Sequence, residues 1–219
     1  MTKLLAHRKV STPIAPAFRR CGDTGLLLEF DTNESVHTWA TSIRAYALRG
    51  VINIIPAMTT ILVVVDPQVL PLRELESLLG TAETAAPANA PAGEVEIGVR
   101  YDGDDLGHVS ELTGLTPEEV VSAHTSSPWR VAFCGFSPGF AYLVGGDHRL
   151  SVPRRGESRL TVPAGAVAIA GQFSAIYPRP SPGGWQLLGS TDVCLWDLVR
   201  DPPTPLVPGV RVRFRDMDR

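Results

Sequence analysis

The sequence predicts an α+β fold in two domains, a small N-terminal α/β sandwich and a C-terminal domain built mainly of β-strands. The first region mixes helix-like and strand-like apolar patterns, whereas beyond Pro128 short apolar runs alternate with glycine and proline. Between them lies TAETAAPANAPAG, a small, polar stretch without apolar periodicity that is typical of a linker. We therefore assign residues 1–80 to the first domain, 81–93 to the linker and 94–219 to the second domain.

The first domain is predicted to hold five elements in the order β-α-β-β-α. Residues 25–30 form an apolar strand, and residues 33–48 form a helix whose apolar side chains recur on one face. Two β-branched runs, 51–55 and 61–65, are joined by a short turn typical of a hairpin. A second amphipathic helix covers residues 72–79. This order suggests a ferredoxin-like sandwich.

The second domain is predicted to begin with a strand and two helices. Apolar and polar or small residues alternate in 94–101, the pattern of a half-buried strand. Helices follow over 105–113 and 117–124, and Thr116 caps the second. Many short strands separated by turns then indicate a sandwich or barrel. Their predicted ranges are 129–134, 166–170, 173–177, 185–188, 193–198 and 210–214.

The composition is that of a globular protein and argues against several function classes. A net charge of −3 over 219 residues argues against a nucleic-acid partner. Three widely separated cysteines argue against a disulfide framework, and the five histidines do not cluster as metal ligands do, so no metal site is expected. We find no signal-peptide core and no apolar run that could span a membrane. We expect a soluble, cytoplasmic protein that binds neither nucleic acid nor membrane.

Residues 135–139, Gly-Phe-Ser-Pro-Gly, match the pattern G-x-S-x-G, which presents a nucleophilic serine in many hydrolases. Three features argue against that role for Ser137. The next residue, Pro138, has no backbone N–H for an oxyanion hole. Residues 139–146 are a poor start for the helix that should follow. The only later histidine, His148, stands directly beside an aspartate and is unsuited to a triad.

The same segment has a simpler interpretation as a turn whose aromatic side chains pack or line a groove. Phe136, Pro138, Phe140 and Tyr142 are the groove or interface candidates. Cys134 is more simply a buried thiol than a nucleophile, because no positioned histidine is evident.

Two loops, residues 153–163 and 171–185, have compositions that indicate a binding role in addition to a structural one. The first places three arginines on a turn, and the planar guanidinium of arginine suits carboxylate and phosphate groups. The second carries Gln, Tyr, Ser and Trp, and such loops on a rigid β scaffold are typical of binding sites. A protein interface is an equally good explanation, because it is enriched in the same residues. Asp104 and Asp105 are expected to be solvated or helix-start charges.

Several motifs occur in a defined order: FCGFSPGFAYL at 133–143, VPRR at 152–155, VPAG at 162–165, VAIAG at 167–171 and IYP with SPGGW at 176–185. Together with GDTGLLLEF at 22–30 they resemble the allophanate hydrolase subunit 1 family, which includes the Kip inhibitor of a sporulation histidine kinase. The resemblance runs from about Phe18 to the C-terminus. It implies a small N-terminal α/β domain and a C-terminal cyclophilin-like β-barrel.

The resemblance also implies an activity and partners. Family members serve as the B subunit of an ATP-dependent 5-oxoprolinase, which cleaves 5-oxoproline (pyroglutamate) to glutamate. The implied partners are an allophanate hydrolase subunit 2 protein, which is the C subunit of that complex, and the A subunit. The chain itself is expected to be inactive alone and to bind no cofactor, since the complex uses the ATP.

For a lactam that carries a carboxylate, the resemblance implies roles for the two loops. The implied substrate-binding residues are Arg154, Arg155 and Arg159 at the anion, Gln172, Tyr177 and Ser181 at polar atoms, and Trp185 as a wall. No catalytic residue is assigned. Two other functions stay open: an allophanate hydrolase or urea carboxylase-type subunit 1, and a kinase-inhibiting module that binds through the cyclophilin-like face.

Overall fold

The computed structural model describes residues 16–82 and 93–218. The chain divides into two compact units, residues 1–88 and 89–219. Most of the predicted linker, residues 83–92, lies outside the described residues. No helix in the described part of the chain is long and apolar enough to cross a membrane.

The N-terminal unit is a four-stranded antiparallel sheet with two helices. Its elements are β1 (Ala17–Cys21), β2 (Gly25–Glu29), α1 (Asn33–Ala45), β3 (Val51–Pro56), β4 (Thr60–Val65) and α2 (Leu72–Gly80). The sheet order is β1-β2-β4-β3. The predicted series of five elements is present as β2 to α2, and β3 and β4 form the predicted hairpin.

The strand β1 was not expected from the sequence, because its residues are mostly exposed and show no apolar alternation. It pairs with β2 along its whole length and forms one edge of the sheet. In a ferredoxin-like βαββαβ unit the fourth strand follows the second helix. Here an N-terminal strand completes the sheet instead.

The helix α1 buries the face that its periodicity predicts. The Thr32 hydroxyl accepts a hydrogen bond from the backbone N–H of Ser35 and caps the helix. The helix ends at Ala45 rather than at residue 48, because Ala47 adopts a left-handed φ of 46°. The apolar residues buried on this face are Val36, Trp39, Ala40 and Ile43.

The C-terminal unit consists of short strands with helices between the first two. It begins with β5 (Glu94–Val99), α3 (Leu106–Thr113), α4 (Pro117–Ser126), β6 (Trp129–Cys134), β7 (Ala141–Val144) and a 3-10 turn (His148–Leu150). It continues with β8 (Arg159–Val162), β9 (Ala166–Ala170), β10 (Phe173–Ile176), β11 (Ser181–Gly183), β12 (Gln186–Ser190) and β13 (Arg211–Asp216). A capping box between Thr116 and Glu119 starts α4, as the sequence predicts for Thr116.

Seven strands form one sheet in the order β12-β9-β10-β7-β6-β13-β5. Just after β5, the Arg100 N–H donates to the Ser190 carbonyl (N···O 2.9 Å), and the Ser190 N–H donates to the Arg100 carbonyl (2.8 Å). This pair joins the two edges of the sheet and nearly closes it into a barrel. The predicted α+β class with a C-terminal barrel is confirmed.

Alternate strand residues point into and out of the barrel. All seven strands contribute to an interior apolar cluster, which contains Ile97, Val131 and Phe214 among others. A second apolar cluster lies on the outer surface and includes Val162 from the two-stranded ribbon of β8 and β11. The strand β9 shows the division, because Val167 belongs to the interior cluster whereas its alanines belong to the outer one.

Some short elements differ from the predictions. Residues 193–198 are not a strand: Leu195 is buried, but the chain then turns, and the Asp197 carboxylate accepts a hydrogen bond from the Val199 N–H. The strands β7, β8 and β11 were not predicted. They are three or four residues long, which is too short to show a two-residue alternation.

Candidate functional site

An aromatic cluster covers the outer face of the barrel at β7, β9, β10 and β12. On this face β9 and β10 contribute small side chains, namely Ala166, Ala168, Ala170 and Ala175. The rings of Phe140, Tyr177 and Trp185 pack in the same cluster. The alternation Ala-Val-Ala-Ile-Ala in β9 is the sequence signal for this arrangement, because it leaves room for rings on one face only.

Phe140 lies at the centre of the aromatic cluster and is buried. Its ring meets those of Phe136, Tyr142, Tyr177 and Trp185 edge to face, at centroid distances of 5.2, 5.1, 5.2 and 5.8 Å. Phe136 is exposed and Tyr142 is half-buried. Three of the four predicted groove residues thus come together, and Phe140 forms the packed base beneath the other two.

Ser137 lies in a tight turn and not at a strand-to-helix elbow. Its N–H donates to the Gly135 carbonyl (2.8 Å), and the Phe140 N–H donates to the Ser137 carbonyl (3.0 Å). The exposed Pro138 lies inside this turn, and β7 follows it instead of a helix. The Ser137 hydroxyl is buried and has no hydrogen-bond partner within the described residues. None of those residues is therefore placed as a base for it, which supports the argument against a nucleophile.

A buried carboxylate, Asp105, organises the arginine-bearing loop. Its side chain is 3% exposed, forms a close ion pair with Arg155 and accepts a hydrogen bond from Arg159 (Nη2···Oδ1 2.9 Å). Its other oxygen accepts the Leu187 N–H (2.8 Å). Asp105 does stand at the start of α3, as expected, but its side chain caps no helix N–H, and the expectation that it is solvated is wrong. Asp104 is exposed, as expected. The Asp105 N–H also donates to the Leu187 carbonyl (3.1 Å), which holds the residue against β12.

The charge of Asp105 is stabilised despite its burial. Burial by itself would raise the pKa of this carboxyl, because it disfavours the ionised form. The hydrogen bonds from Arg159 and Leu187, and the charges of both arginines, outweigh burial and hold the pKa of Asp105 below its ordinary value. This stabilisation is complete above the ordinary pKa and is lost as the pH falls through the lowered one.

Arg155 and Arg159 are therefore engaged within the protein. The sequence-based expectation was that all three arginines face a ligand anion. In the structure Arg155 and Arg159 both pair with the single carboxylate of Asp105, and Arg159 Nη2 also lies 3.9 Å from Asp104 Oδ2. Each keeps one buried N–H without a partner in the described ranges, Nε of Arg155 and Nη1 of Arg159. Their positions remain fixed by the carboxylate that they share.

Arg154 is arranged differently from its two neighbours. It is exposed and forms no ion pair with the residues that the structure describes. Its guanidinium carbon lies 6.0 Å from the centroid of the Trp185 ring. Burial raises the pKa values of the Tyr142 and Tyr177 phenols, and the positive charge of Arg154 partly opposes that rise. Arg154 is thus a solvent-facing cation on an aromatic surface.

The other predicted binding residues divide by exposure. Tyr177 is 2% exposed and Trp185 5%, so both act mainly as packing residues in this conformation. Ser181 is also buried, and its hydroxyl donates to the Arg179 carbonyl (3.1 Å) in support of the ribbon. Gln172 is exposed in the turn between β9 and β10. Gln172 is therefore the exposed member of this group, and Tyr177, Ser181 and Trp185 are buried.

Two further titratable side chains are committed to packing. His124 is buried in the barrel interior, where its nitrogens meet the hydroxyls of Tyr101 (2.8 Å) and Ser174 (2.9 Å). Burial lowers the pKa of His124 to about 3, so it is neutral. The Cys134 thiol donates to a backbone carbonyl, and burial raises its pKa to about 11. Within residues 16–82 and 93–218, no group of three or more His, Cys, Asp or Glu could hold a metal.

Two relatives match most of the chain. Over 201 residues the chain is 38% identical to a protein from Escherichia coli O157:H7 that is named as the B subunit of 5-oxoprolinase, and the match covers 88% of this chain and 92% of that protein. Over 216 residues it is 36% identical to the protein of the same name from Bacillus subtilis strain 168, covering 88% and 89%.

Solved structures share the fold. The crystal structure of TTHA0988 matches with a TM-score of 0.78 and 37% identity, covering 88% of this chain but 39% of the TTHA0988 chain. The urea amidolyase of Kluyveromyces lactis has the same fold (TM-score 0.77, 18% identity), and the match covers 93% of this chain and 15% of the amidolyase. Residues 16–206 match the family described as carboxyltransferase domain, subdomain C and D. These matches confirm the resemblance indicated by the motifs: the chain belongs to the carboxyltransferase domain, subdomain C and D family.

Proposed function

We propose that this chain is the B subunit of an ATP-dependent 5-oxoprolinase, which opens the lactam ring of 5-oxoproline to give glutamate. The observation that carries the proposal is the likeness to two proteins that bear this name, which extends over 92% and 89% of their lengths. A shared fold alone would not support a shared reaction, because one fold hosts many functions. The family match over residues 16–206, which includes both candidate loops, adds to this argument.

The chain is proposed to work only within a complex. Hydrolysis of an amide needs a nucleophile or an activated water. The Ser137 hydroxyl has no hydrogen-bond partner among the described residues, and His124 and Cys134 are neutral and engaged in packing. The outer face instead offers a cation, Arg154, beside aromatic rings, which suits binding and orientation of a carboxylate. The reacting groups are therefore assigned to a site that partner proteins complete.

The proposed partners are the C subunit, which belongs to the allophanate hydrolase subunit 2 family, and the A subunit. Large apolar side chains that stand exposed on the C-terminal unit offer contact area for them, among them Phe136, Leu160, Leu198 and Val199. Use of ATP is assigned to the partners and not to this chain. A cytoplasmic location, without nucleic-acid or membrane partners, belongs to the same proposal.

Reconstitution of the complex tests the proposal. The chain is co-expressed with the two proposed partner proteins, and the purified mixture is assayed for 5-oxoproline-dependent ATP hydrolysis and for glutamate release. We expect both activities to require all three proteins and the chain alone to have neither. Mixtures that lack one protein at a time are the controls.

Other results would favour the other functions. A stable complex that ignores 5-oxoproline but acts on urea or allophanate would contradict the proposed substrate and favour a urea carboxylase-type role. Failure to associate with either partner, combined with binding to a histidine kinase, would favour the binding module.

In the same assay, Ser137→Ala should keep kcat/KM within a few-fold of wild type. The reason is that the Ser137 hydroxyl has no partner in the described part of the chain, whereas loss of a true nucleophilic serine lowers kcat by roughly 10⁶-fold. Ser122→Ala, at an exposed site on α4, is the matched control. A collapse of activity in a correctly assembled Ser137→Ala complex would restore the nucleophile hypothesis.

A further inference from the structure

We infer that Arg154 is the residue that holds the substrate carboxylate, and that Asp105 is a positioning residue that presents Arg154 through its ion pairs with Arg155 and Arg159. This inference rests on the proposed function and deepens it. In the sequence the three arginines look equivalent. In the structure one of them faces solvent and the other two share a buried carboxylate.

The contacts of the loop explain how Arg154 is presented. The Arg155 N–H donates to the Gly184 carbonyl (2.8 Å), and the Gln186 amide donates to the Pro153 carbonyl (3.1 Å). The chain on both sides of Arg154 is therefore attached to the segment around Trp185. With Arg155 held by Asp105, Arg154 is left beside the Trp185 ring.

A second attachment fixes the start of the loop. The Gly171 N–H donates to the Val152 carbonyl (2.6 Å), which ties the loop to the turn between β9 and β10. That turn carries the exposed Gln172. The loop is thus joined to the barrel at Val152, Pro153 and Arg155. The Arg154 side chain, between the last two of these residues, is exposed.

The surroundings of Arg154 suit a small carboxylate. Its guanidinium can donate two parallel hydrogen bonds to one carboxylate group. Among the described residues no acidic side chain forms an ion pair with Arg154, so no carboxylate from that part of the chain competes with a ligand carboxylate. The half-buried Tyr142 lies near enough to sense the Arg154 charge, and its phenol is a neutral O–H donor.

Asp105 contributes by orientation and does not contact the substrate. Its side chain is 3% exposed, and its two oxygens are occupied by Arg155, Arg159 and the Leu187 N–H. Without the charge of Asp105, the Arg155 side chain would lose its ion pair, and the position of the neighbouring Arg154 would become more variable. A preorganised cation binds more tightly because less ordering is needed on binding.

Steady-state kinetics of the reconstituted complex test the inference. Arg154→Ala should raise KM for 5-oxoproline about 10- to 100-fold, the range for a lost hydrogen bond to a charged group, with kcat within a few-fold. Arg154→Lys should recover part of the affinity because it keeps the charge. Asp105→Asn should raise KM about 3- to 10-fold, since the neutral amide holds Arg155 less firmly. Arg213→Ala on β13, which removes an exposed ion pair with Glu94 of β5, is the control and should leave KM unchanged.

The double variant distinguishes positioning from a general structural effect. If Asp105 acts through Arg154, then Asp105→Asn combined with Arg154→Ala should raise KM no further than Arg154→Ala alone. An increase in KM in the double variant equal to the product of the two single increases, or an unchanged KM in Arg154→Ala, would overturn the inference.

If the Asp105→Asn variant does not assemble into the complex, Arg155→Gln replaces it in the same comparison, because the Arg155 side chain is 35% exposed and its loss is less disruptive. An active wild-type complex with unaffected variants defeats this inference alone, whereas an inactive wild-type complex defeats the proposed function and the inference with it.

Discussion

Replacing Phe140 by alanine should lower the free energy of unfolding of the C-terminal unit by about 3–5 kcal/mol, the usual cost of truncating a buried phenylalanine. The Phe140 ring is 2% exposed and contacts four other rings at 5.1 to 5.8 Å. Its loss leaves a cavity in the cluster that the short methyl side chains of the β9 alanines cannot fill. The same change should loosen Trp185 and hence the surface on which Arg154 lies.

Urea denaturation followed by tryptophan fluorescence and circular dichroism measures this change. The matched control is Leu160→Ala, which truncates an apolar residue of β8 that is 91% exposed and should change stability by less than about 0.5 kcal/mol. Equal stabilities of Phe140→Ala and wild type would mean that the aromatic cluster is not a packed core.

Gly189→Ala should destabilise the barrel by on the order of 3 kcal/mol, the upper part of the range for an overpacked site. A methyl group at Gly189 would overlap the Arg100 carbonyl oxygen and lie 2.9 Å from both the Arg100 carbonyl carbon and the Tyr101 Cα. All these atoms belong to the backbone, so no side-chain rotation can relieve the overlap. The strain falls beside the Arg100–Ser190 pair that joins the edges of the sheet.

Hydrogen exchange at the Arg100 and Ser190 amides measures the stability of this junction, and urea denaturation measures the free energy of global unfolding. We expect both amides to lose protection in Gly189→Ala. Gly107→Ala is the control, since a Cβ at this position in α3 meets no atom within 4 Å and should leave stability unchanged or raise it by up to about 1 kcal/mol. Normal protection in Gly189→Ala would show that the barrel does not depend on close approach at this point.

Much of the architecture could be predicted because it depends on local patterns. The face of α1 that contains Trp39 follows from a three- and four-residue repeat, and the capping box at Thr116 follows from residue types a few positions apart. The strands β9 and β13 are apolar or alternating runs of five or six residues. The strands β7, β8 and β11 were not predicted, because three or four residues are too few to show a periodic pattern.

The sequence indicated two loops rich in arginine and aromatic residues but not how their side chains are arranged. The arginines, Tyr177 and Trp185 do come together on one face, yet their exposures differ greatly. Nothing in the residues next to Asp105 indicates that it is buried, because a helix start is an ordinary place for an exposed acid. Its burial depends on Arg155 and Arg159, which lie far along the chain from it.

Residue order alone was enough to establish the class of the fold, the order of most elements, the family and the two loops that carry arginine and aromatic residues. Periodicity, capping and turn chemistry act between neighbours in the chain, so they can be read without coordinates. Which arginine is free depends instead on tertiary contacts, because Asp105 meets Arg155 and Arg159 across 50 and 54 positions. Closure of the barrel between Arg100 and Ser190 likewise depends on the path of the chain between them. Burial and ion pairing are set by distances in space, and those distances exist only once the barrel has formed.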